Sequence, residues 1–220
     1  LDDLPPAIKR QIIVSTDRTK VRDNNHLDLT ECIGCLRKAW FKRKFPLSPS
    51  LRQRWYFYRG NVFDDLWTPL FERNQVRVTH RIRNSKYPVV IAGRLDFLDE
   101  EKFVADLKTT DKIENIRKYG AKEDNVKQLM FYCWYEATTK GRLYYISFKD
   151  AEMFEFDFKA KELEELVDEI EERAMVLYDS LLTSAPPPKD EKHTDSYWEC
   201  NLSRDGEEYC EYRNKCKESK

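Results

Sequence analysis

Two apolar segments parted by three acids constrain this chain more than any other stretch. Residues 89–98 are rich in Val, Ile and Leu, residues 103–109 form a shorter apolar run, and Asp99-Glu100-Glu101 stands between them. Strand-forming runs flanking a short polar turn predict a β-hairpin. Side chains two apart on a strand share a face. Asp106 and Lys108, in Val104-Ala105-Asp106-Leu107-Lys108, therefore project together. Asp96, at the end of the preceding predicted strand, reaches the same place across the hairpin.

The rest of the chain sorts around that hairpin. Residues 1–25 are mixed, with an apolar patch at Ile12–Val14. Asp28 or Thr30 is placed to cap a helix over about 30–44, stopped by Pro46. A second helix is predicted over 50–73, where Trp55, Tyr58, Val62, Leu66 and Leu70 recur at three- and four-residue steps. Gly60 inside it costs ~1 kcal/mol against Ala, which predicts a close backbone approach there. Gln75–Arg83 alternates as a strand, about 122–139 reads as a helix, and Arg142–Phe148 and Glu152–Phe158 alternate as two further strands. A long acidic helix over about 159–183 ends before Pro186-Pro187-Pro188, and 189–220 is a polar tail. The expected architecture is α/β: one domain over 1–220, with a mixed sheet flanked by helices. Within it lie a basic helical segment at about 28–73, a core at about 75–158, an acidic helix at about 159–185 and a cysteine-containing tail at about 189–220.

The formal net charge of −1 conceals a segregation. Between Cys32 and Leu95 there are 14 Lys or Arg against three acids, leaving 25 basic and 37 acidic side chains elsewhere. Cys32 to Phe63 holds no acid. Its bases Arg37, Lys38, Lys42, Arg43, Lys44, Arg52, Arg54 and Arg59 are interleaved with Trp40, Phe41, Phe45, Trp55, Tyr56, Phe57 and Tyr58. Bases neutralise phosphates and aromatic faces stack on unpaired nucleobases, so the run reads as a polyanion footprint. No apolar run approaches the ~18 residues of a membrane span. No charged-then-apolar leader opens the chain, so a secretory signal is not expected and the cytoplasm is the expected compartment.

Asp96 and Asp106, with a backbone carbonyl, make an oxygen set suited to Mg²⁺ or Mn²⁺. Such an ion polarises a phosphodiester and acidifies water, and a nearby ammonium at Lys108 orients that water. Of the six cysteines, Cys133 falls in the apolar stretch Leu129–Tyr135 and reads as core. Cys32 and Cys35 lie early; Cys200, Cys210 and Cys216 lie in the tail. Four thiolates can bind zinc or an iron–sulfur cluster, and spacing alone leaves both open. His26, His80 and His193 fall in no catalytic pattern.

Three further segments frame the hairpin: Gly60-Asn61-Val62-Phe63-Asp64 and Gly93-Arg94-Leu95-Asp96 before Asp106-Leu107-Lys108, and Gln128-Leu129-Met130-Phe131-Tyr132 after it. This ordered set resembles the RecB-like branch of the PD-(D/E)XK nuclease superfamily, with G-x-x-D, (D/E)-x-K and Q-x-x-x-Y. The resemblance implies a restriction-endonuclease-like core with Asp96 and Asp106 as metal ligands and Lys108 as catalytic lysine. It implies that Gln128 and Tyr132 support the site and contact DNA, and that Asp64 adds a carboxylate near the metal. Related enzymes place His where Asp64 stands, and Asp65 is a neighbouring candidate; Asp ligates Mg²⁺ or Mn²⁺ directly.

Cys35-Leu36-Arg37-Lys38-Ala39-Trp40-Phe41 and Cys210-Glu211-Tyr212-Arg213-Asn214-Lys215-Cys216 are similar to segments of the CRISPR-associated RecB-like exonucleases that carry an iron–sulfur cluster. That resemblance implies a four-iron or two-iron cluster on Cys35, Cys200, Cys210 and Cys216, with Cys32 as the alternative early ligand and zinc as the alternative metal. The cluster would join the N-terminal helical segment to the tail. The implied activity is metal-dependent exonuclease action on single-stranded or frayed DNA ends, serving CRISPR spacer acquisition beside integrase proteins. Two other readings stand beside it: a non-catalytic DNA-binding module stapled by zinc or iron–sulfur, and the nuclease domain of a repair helicase. The chain has no G-x-x-x-x-G-K-[ST] phosphate loop of its own.

Overall fold

Strand β4 (Val104–Thr109) is the middle of the fold. Val104 and Ala105 are fully covered, as expected for a run apolar on both faces, and so is the acid that follows them, Asp106. The computed structural model describes residues 1, 3–17, 23–83, 85–189, 200, 203–204, 207–208 and 210–219. The chain is divided between two compact units. One is made of Leu1–Val21, Ser48–Thr79 and Gly93–Val167; the other of Arg22–Leu47, His80–Ala92 and Asp168–Lys220.

In the first unit β3 (Val90–Leu98) meets β4 antiparallel, with Phe97 opposite Ala105 and Leu98 opposite Val104. The acids between them make the expected turn. The Asp99 carboxylate accepts from the Glu101 and Phe103 amides at 3.0 and 2.9 Å, and Lys102 takes a left-handed φ of 64°. β4 runs parallel to β5 (Lys140–Ile146), and β5 pairs antiparallel with β6 (Ala151–Asp157). A parallel pair needs a crossover. Here it carries α5 (Ile113–Tyr119) and α6 (Glu123–Tyr135); the sequence pattern showed only the second. β2 (Asn74–Arg81) pairs with β3. Helix α4 (Leu51–Trp67) starts at a capping box of Ser50 and Gln53 and packs on β4 and on α1 (Pro6–Thr16). The mixed sheet flanked by helices is present.

The second unit holds β1 (His26–Asp28), which pairs in parallel with residues 90–92 of β3. The single helix expected over 30–44 is two, α2 (Leu29–Ile33) and α3 (Leu36–Lys44). The break at Gly34-Cys35 has two causes. The Arg173 side chain caps the open end of α2, donating to the carbonyls of Cys32 (2.6 Å) and Gly34 (2.5 Å). Cys35 becomes the N-cap of α3, its Sγ accepting from the Lys38 amide. Helix α7 (Ala160–Thr183) runs from the first unit into the second, burying Leu163, Leu166, Val167, Ile170, Ala174, Leu177 and Leu181 at helical steps. Trp40 Nε1 donates to the Ser180 carbonyl at 3.0 Å, and Phe41 stacks on Tyr212. A two-residue pair, β7 (Ser203–Arg204) with β8 (Glu207–Glu208), and α8 (Arg213–Glu218) complete the unit.

Two expectations for α4 are corrected. Gly60 is not at a tight approach, because a Cβ there would meet Thr109 Oγ1 at 3.8 Å, ordinary contact. The helix expected over 50–73 ends at Trp67, and its apolar stripe is partly open: Leu66 and, beyond the helix end, Leu70 are largely exposed. Trp55, Tyr58, Val62 and Leu66 line a cavity of about 630 Å³ with Phe63, Trp67 and Phe148.

Candidate active site

Strands β3 and β4 part where the acids begin. Beyond Phe97 opposite Ala105, the Leu107 amide donates to the Asp96 carboxylate at 2.7 Å, a side chain standing in for a strand partner. Asp106 is 1% exposed, and its Oδ2 lies 2.6 Å from Lys108 Nζ. No N–H reaches its Oδ1 among the described residues. Lys108 Nζ also donates to Gln128 Oε1 at 3.0 Å, and Gln128 Nε2 donates to Tyr132 Oη at 3.0 Å. Gln128 and Tyr132 are one turn apart on α6, so they share a face. The Tyr132 hydroxyl also accepts from the Arg94 amide at 3.2 Å, tying α6 to β3.

Two glycines make that docking possible. A Cβ on Gly93 would lie 2.9 Å from Tyr132 Oη, and one on Gly141 would lie 2.8 Å from Leu129 Cδ2. Both distances are shorter than packed side chains tolerate. The close approaches against α6 are therefore at Gly93 and Gly141, and Gly60 makes none.

The electrostatics leave the site short of positive charge. Burial raises the Asp96 carboxyl to about 7; the Asp106 charge adds to the rise, and Lys108 and the Leu107 amide oppose it. Burial likewise pushes Asp106 up, against the pull of Lys108. Burial works to lower the Lys108 ammonium, but Asp106 and Asp96 outweigh it and hold the group charged. The buried Asp106 and the half-buried Asp96 thus face one ammonium. A proton or a cation must supply the difference.

A divalent ion fits this donor set. No N–H reaches Asp106 Oδ1 among the described residues, and carboxylate oxygens suit a hard cation that keeps several of its waters. No three His, Cys, Asp or Glu side chains converge into a ready-made cage among the described residues.

Asp64 stands slightly apart. Its charge raises both Asp96 and Asp106, yet its own oxygens are committed: Oδ1 accepts from Gln75 at 3.0 Å and Oδ2 from Arg94 at 3.0 Å. Asp65 is exposed on α4. Tyr132 is 1% exposed, and burial raises its hydroxyl to about 12.

Much of the basic run has partners within the fold. Arg37 is 2% exposed and donates to Cys216 Sγ (3.2 Å) and to the carbonyls of Pro187 (2.8 Å) and Ser219 (3.1 Å). Arg43 pairs with Glu31 at 2.6 Å, Arg54 donates to the Ile13 carbonyl and Thr16, and Arg59 pairs with Asp111. Arg52 donates to Tyr56 Oη, Lys38 is half-buried and Lys42 is exposed. Glu31, Asp17 and Asp111, all outside the run, pair with Arg43, Arg54 and Arg59, and carbonyls accept from Arg37.

Among the cysteines, Cys32 and Cys133 are buried, and burial pushes both thiols far up, to about 12 for Cys133. That suits core residues. Burial also raises the Cys210 thiol, with Cys200 close enough to add to the rise. The Arg37–Cys216 contact brings α3, capped by Cys35, to the tail.

The sequence profile of the PD-(D/E)XK nuclease superfamily matches residues 20–217. The chain belongs to the PD-(D/E)XK nuclease superfamily. The nuclease fold has relatives among solved structures. The crystal structure of SSO0001 aligns over 96% of this chain and 95% of its own, with TM-score 0.65 and 16% identity. A phage-related exonuclease from Haemophilus somnus 129PT aligns over 73% of this chain and 98% of its own, with TM-score 0.50 and 15% identity. No curated protein matches the sequence. Nucleases of this superfamily use divalent metals such as Mg²⁺ or Mn²⁺. No helix among the described residues is long and apolar enough to cross a membrane.

Two residues at the site escaped the sequence reading. Arg94 lay inside the G-x-x-D motif, and its place two residues before Asp96 was the available signal. Gln75 gave none: it reaches Asp64 from a left-handed φ of 50°, rare for a residue with a side chain.

Proposed function

We propose that this nuclease is a metal-dependent DNA exonuclease acting on single-stranded or frayed ends. The observation that carries the reading is one ammonium, Lys108, set against Asp96 and the buried Asp106, whose Oδ1 is reached by no N–H among the described residues. Asp96 and Asp106 would hold Mg²⁺ or Mn²⁺. When bound, the ion supplies Lewis acidity at the phosphodiester and lowers the pKa of water. Lys108, held charged by the two carboxylates and aimed by Gln128, orients the attacking water and steadies charge growing on the phosphate. Tyr132 fixes Gln128 and closes the site from behind.

The aromatic cavity beside α4 supports a preference for unpaired bases. Tyr58 and Val62 line both that cavity and the polar one next to Asp64, so stacked bases there would feed a strand toward the carboxylates. The exonuclease among the structural relatives favours action at ends. Motif resemblance supports the finer reading: Cys35, Cys200, Cys210 and Cys216 hold an iron–sulfur cluster, and the enzyme trims DNA in the cytoplasm for CRISPR spacer integration, beside integrase proteins.

The test is cleavage of end-labelled single- and double-stranded DNA in Mn²⁺, Mg²⁺ or EDTA. Wild type should degrade single strands from an end only with metal, and Asp106→Ala or Lys108→Ala should lose that activity. Metal-independent cleavage, or cleavage that survives either substitution, refutes the proposal.

A further inference from the structure

We infer that Arg94 anchors a backbone phosphate of the substrate strand, next to the phosphate under attack, and that Asp64 and Gln75 position it. The inference rests on the nuclease reading above and adds a substrate-binding residue to it.

Alternation along β3 gives the first argument. Leu95 and Phe97 are buried, while Arg94 and Asp96 lie on the other face, roughly 7 Å apart along the strand. A guanidinium and a carboxylate of the proposed metal pair therefore share one face. The second argument is availability. Arg37, Arg43, Arg54 and Arg59 are spent on carbonyls and acids, whereas the Arg94 side chain is 50% exposed. Only Nη2 has a side-chain partner among the described residues, Asp64 Oδ2 at 3.0 Å. Arg94 lines a cavity of about 340 Å³ with Tyr58, Asn61, Val62, Asp64 and Asp65. A planar fork of donors suits phosphate oxygens better than a point charge does.

Third, the pair looks built. Gln75 adopts its left-handed backbone and donates to Asp64 Oδ1, fixing the carboxylate that fixes Arg94. Backbone in such a conformation persists where its surroundings over-determine it, commonly at functional sites. With both oxygens engaged, Asp64 acts as a positioning residue in this arrangement.

The experiment compares wild type, Arg94→Ala and Arg94→Lys as full chains. Binding of a fluorescent single-stranded 20-mer is followed by anisotropy in EDTA across a salt series, beside thermal melts with and without Mn²⁺. Arg94→Ala should bind ~10-fold more weakly, the loss of one charge-assisted contact. Its slope of log affinity against log salt should be shallower by ~0.7, one phosphate of a single strand. Arg94→Lys should restore the slope and only part of the affinity. Mn²⁺ should still raise the melting temperature of both variants. An unchanged slope in Arg94→Ala overturns the inference, as does loss of its Mn²⁺ stabilisation, which would make Arg94 a prop for the carboxylates. The two readings fail separately. A wild type that binds with these slopes and never cleaves refutes the nuclease proposal alone; cleavage with an unchanged slope in Arg94→Ala refutes the anchor alone.

Discussion

Replacing Gly93 by Ala places a Cβ 2.9 Å from Tyr132 Oη, 3.0 Å from Cε1 and 3.4 Å from Cζ. Tyr132 is buried and its hydroxyl holds the Arg94 amide and Gln128, so the ring has little room to yield. Overpacking of this kind costs ~1–3 kcal/mol. In a chain of this size that lowers the melting temperature by about 3–10 °C. The nearest clash is with the hydroxyl oxygen, which makes a rescue possible. Tyr132→Phe alone strands two donors and costs ~1–3 kcal/mol. In Gly93→Ala/Tyr132→Phe the oxygen is gone and part of the clash with it, while Cε1 stays close. The double variant should be less damaged than the sum of the singles by ~1 kcal/mol, a coupling expected only of residues in contact. Denaturant melts of the four metal-free proteins measure this. Gly93→Ala within ~0.5 kcal/mol of wild type, or strictly additive losses, would refute the reasoning, because surface substitutions without such contacts give values that small.

Other consequences follow from the same contacts. Asp96 titrates near 7 in the folded chain against an ordinary 3.8, so the metal-free fold binds the extra proton. Its stability should therefore be greatest below about pH 4 as far as this group is concerned, and fall by up to ~4 kcal/mol as pH rises through 7. Melts of wild type and Asp96→Asn from pH 5 to 8 should show a slope that the substitution flattens; equal slopes count against it. Arg37→Met strands the Pro187 and Ser219 carbonyls and should cost ~2–4 kcal/mol in a denaturant melt; a loss below ~0.5 kcal/mol would return Arg37 to the surface set. Protein purified without oxygen should be brown and carry iron and sulfide that Cys216→Ala loses. A colourless wild type holding zinc would replace the cluster with the other metal.

The hairpin and the side chains it gathers were legible because they obey short periods. Asp106 and Lys108 share a face by the two-residue strand repeat, and Gln128 and Tyr132 by one helical turn. Their joining needed no distant information beyond motif order. What escaped depends on partners far along the chain. Arg173 ends α2 from 139 residues away by capping Gly34, which no local propensity announces. Arg37 meets Cys216 across 179 residues, so a cation read as surface is core. Arg59 finds Asp111 and Arg43 finds Glu31, both outside the acid-free run. In a chain with 36% charged residues, local charge excess says little about which cations reach solvent. The same lesson applies to α4. Its apolar stripe has the helical period of a buried face, yet part of it lines an open cavity with Phe148, 73% exposed, from the end of another strand.

The central claim is that Asp96 and Asp106 hold a divalent ion beside Lys108. Crystals of wild type and Asp106→Asn soaked in Mn²⁺ and measured at the manganese edge test it most directly. The account predicts an anomalous peak within bonding distance of both carboxylates in wild type and none there in Asp106→Asn. A wild-type crystal without that peak, or a peak that survives the substitution, contradicts it.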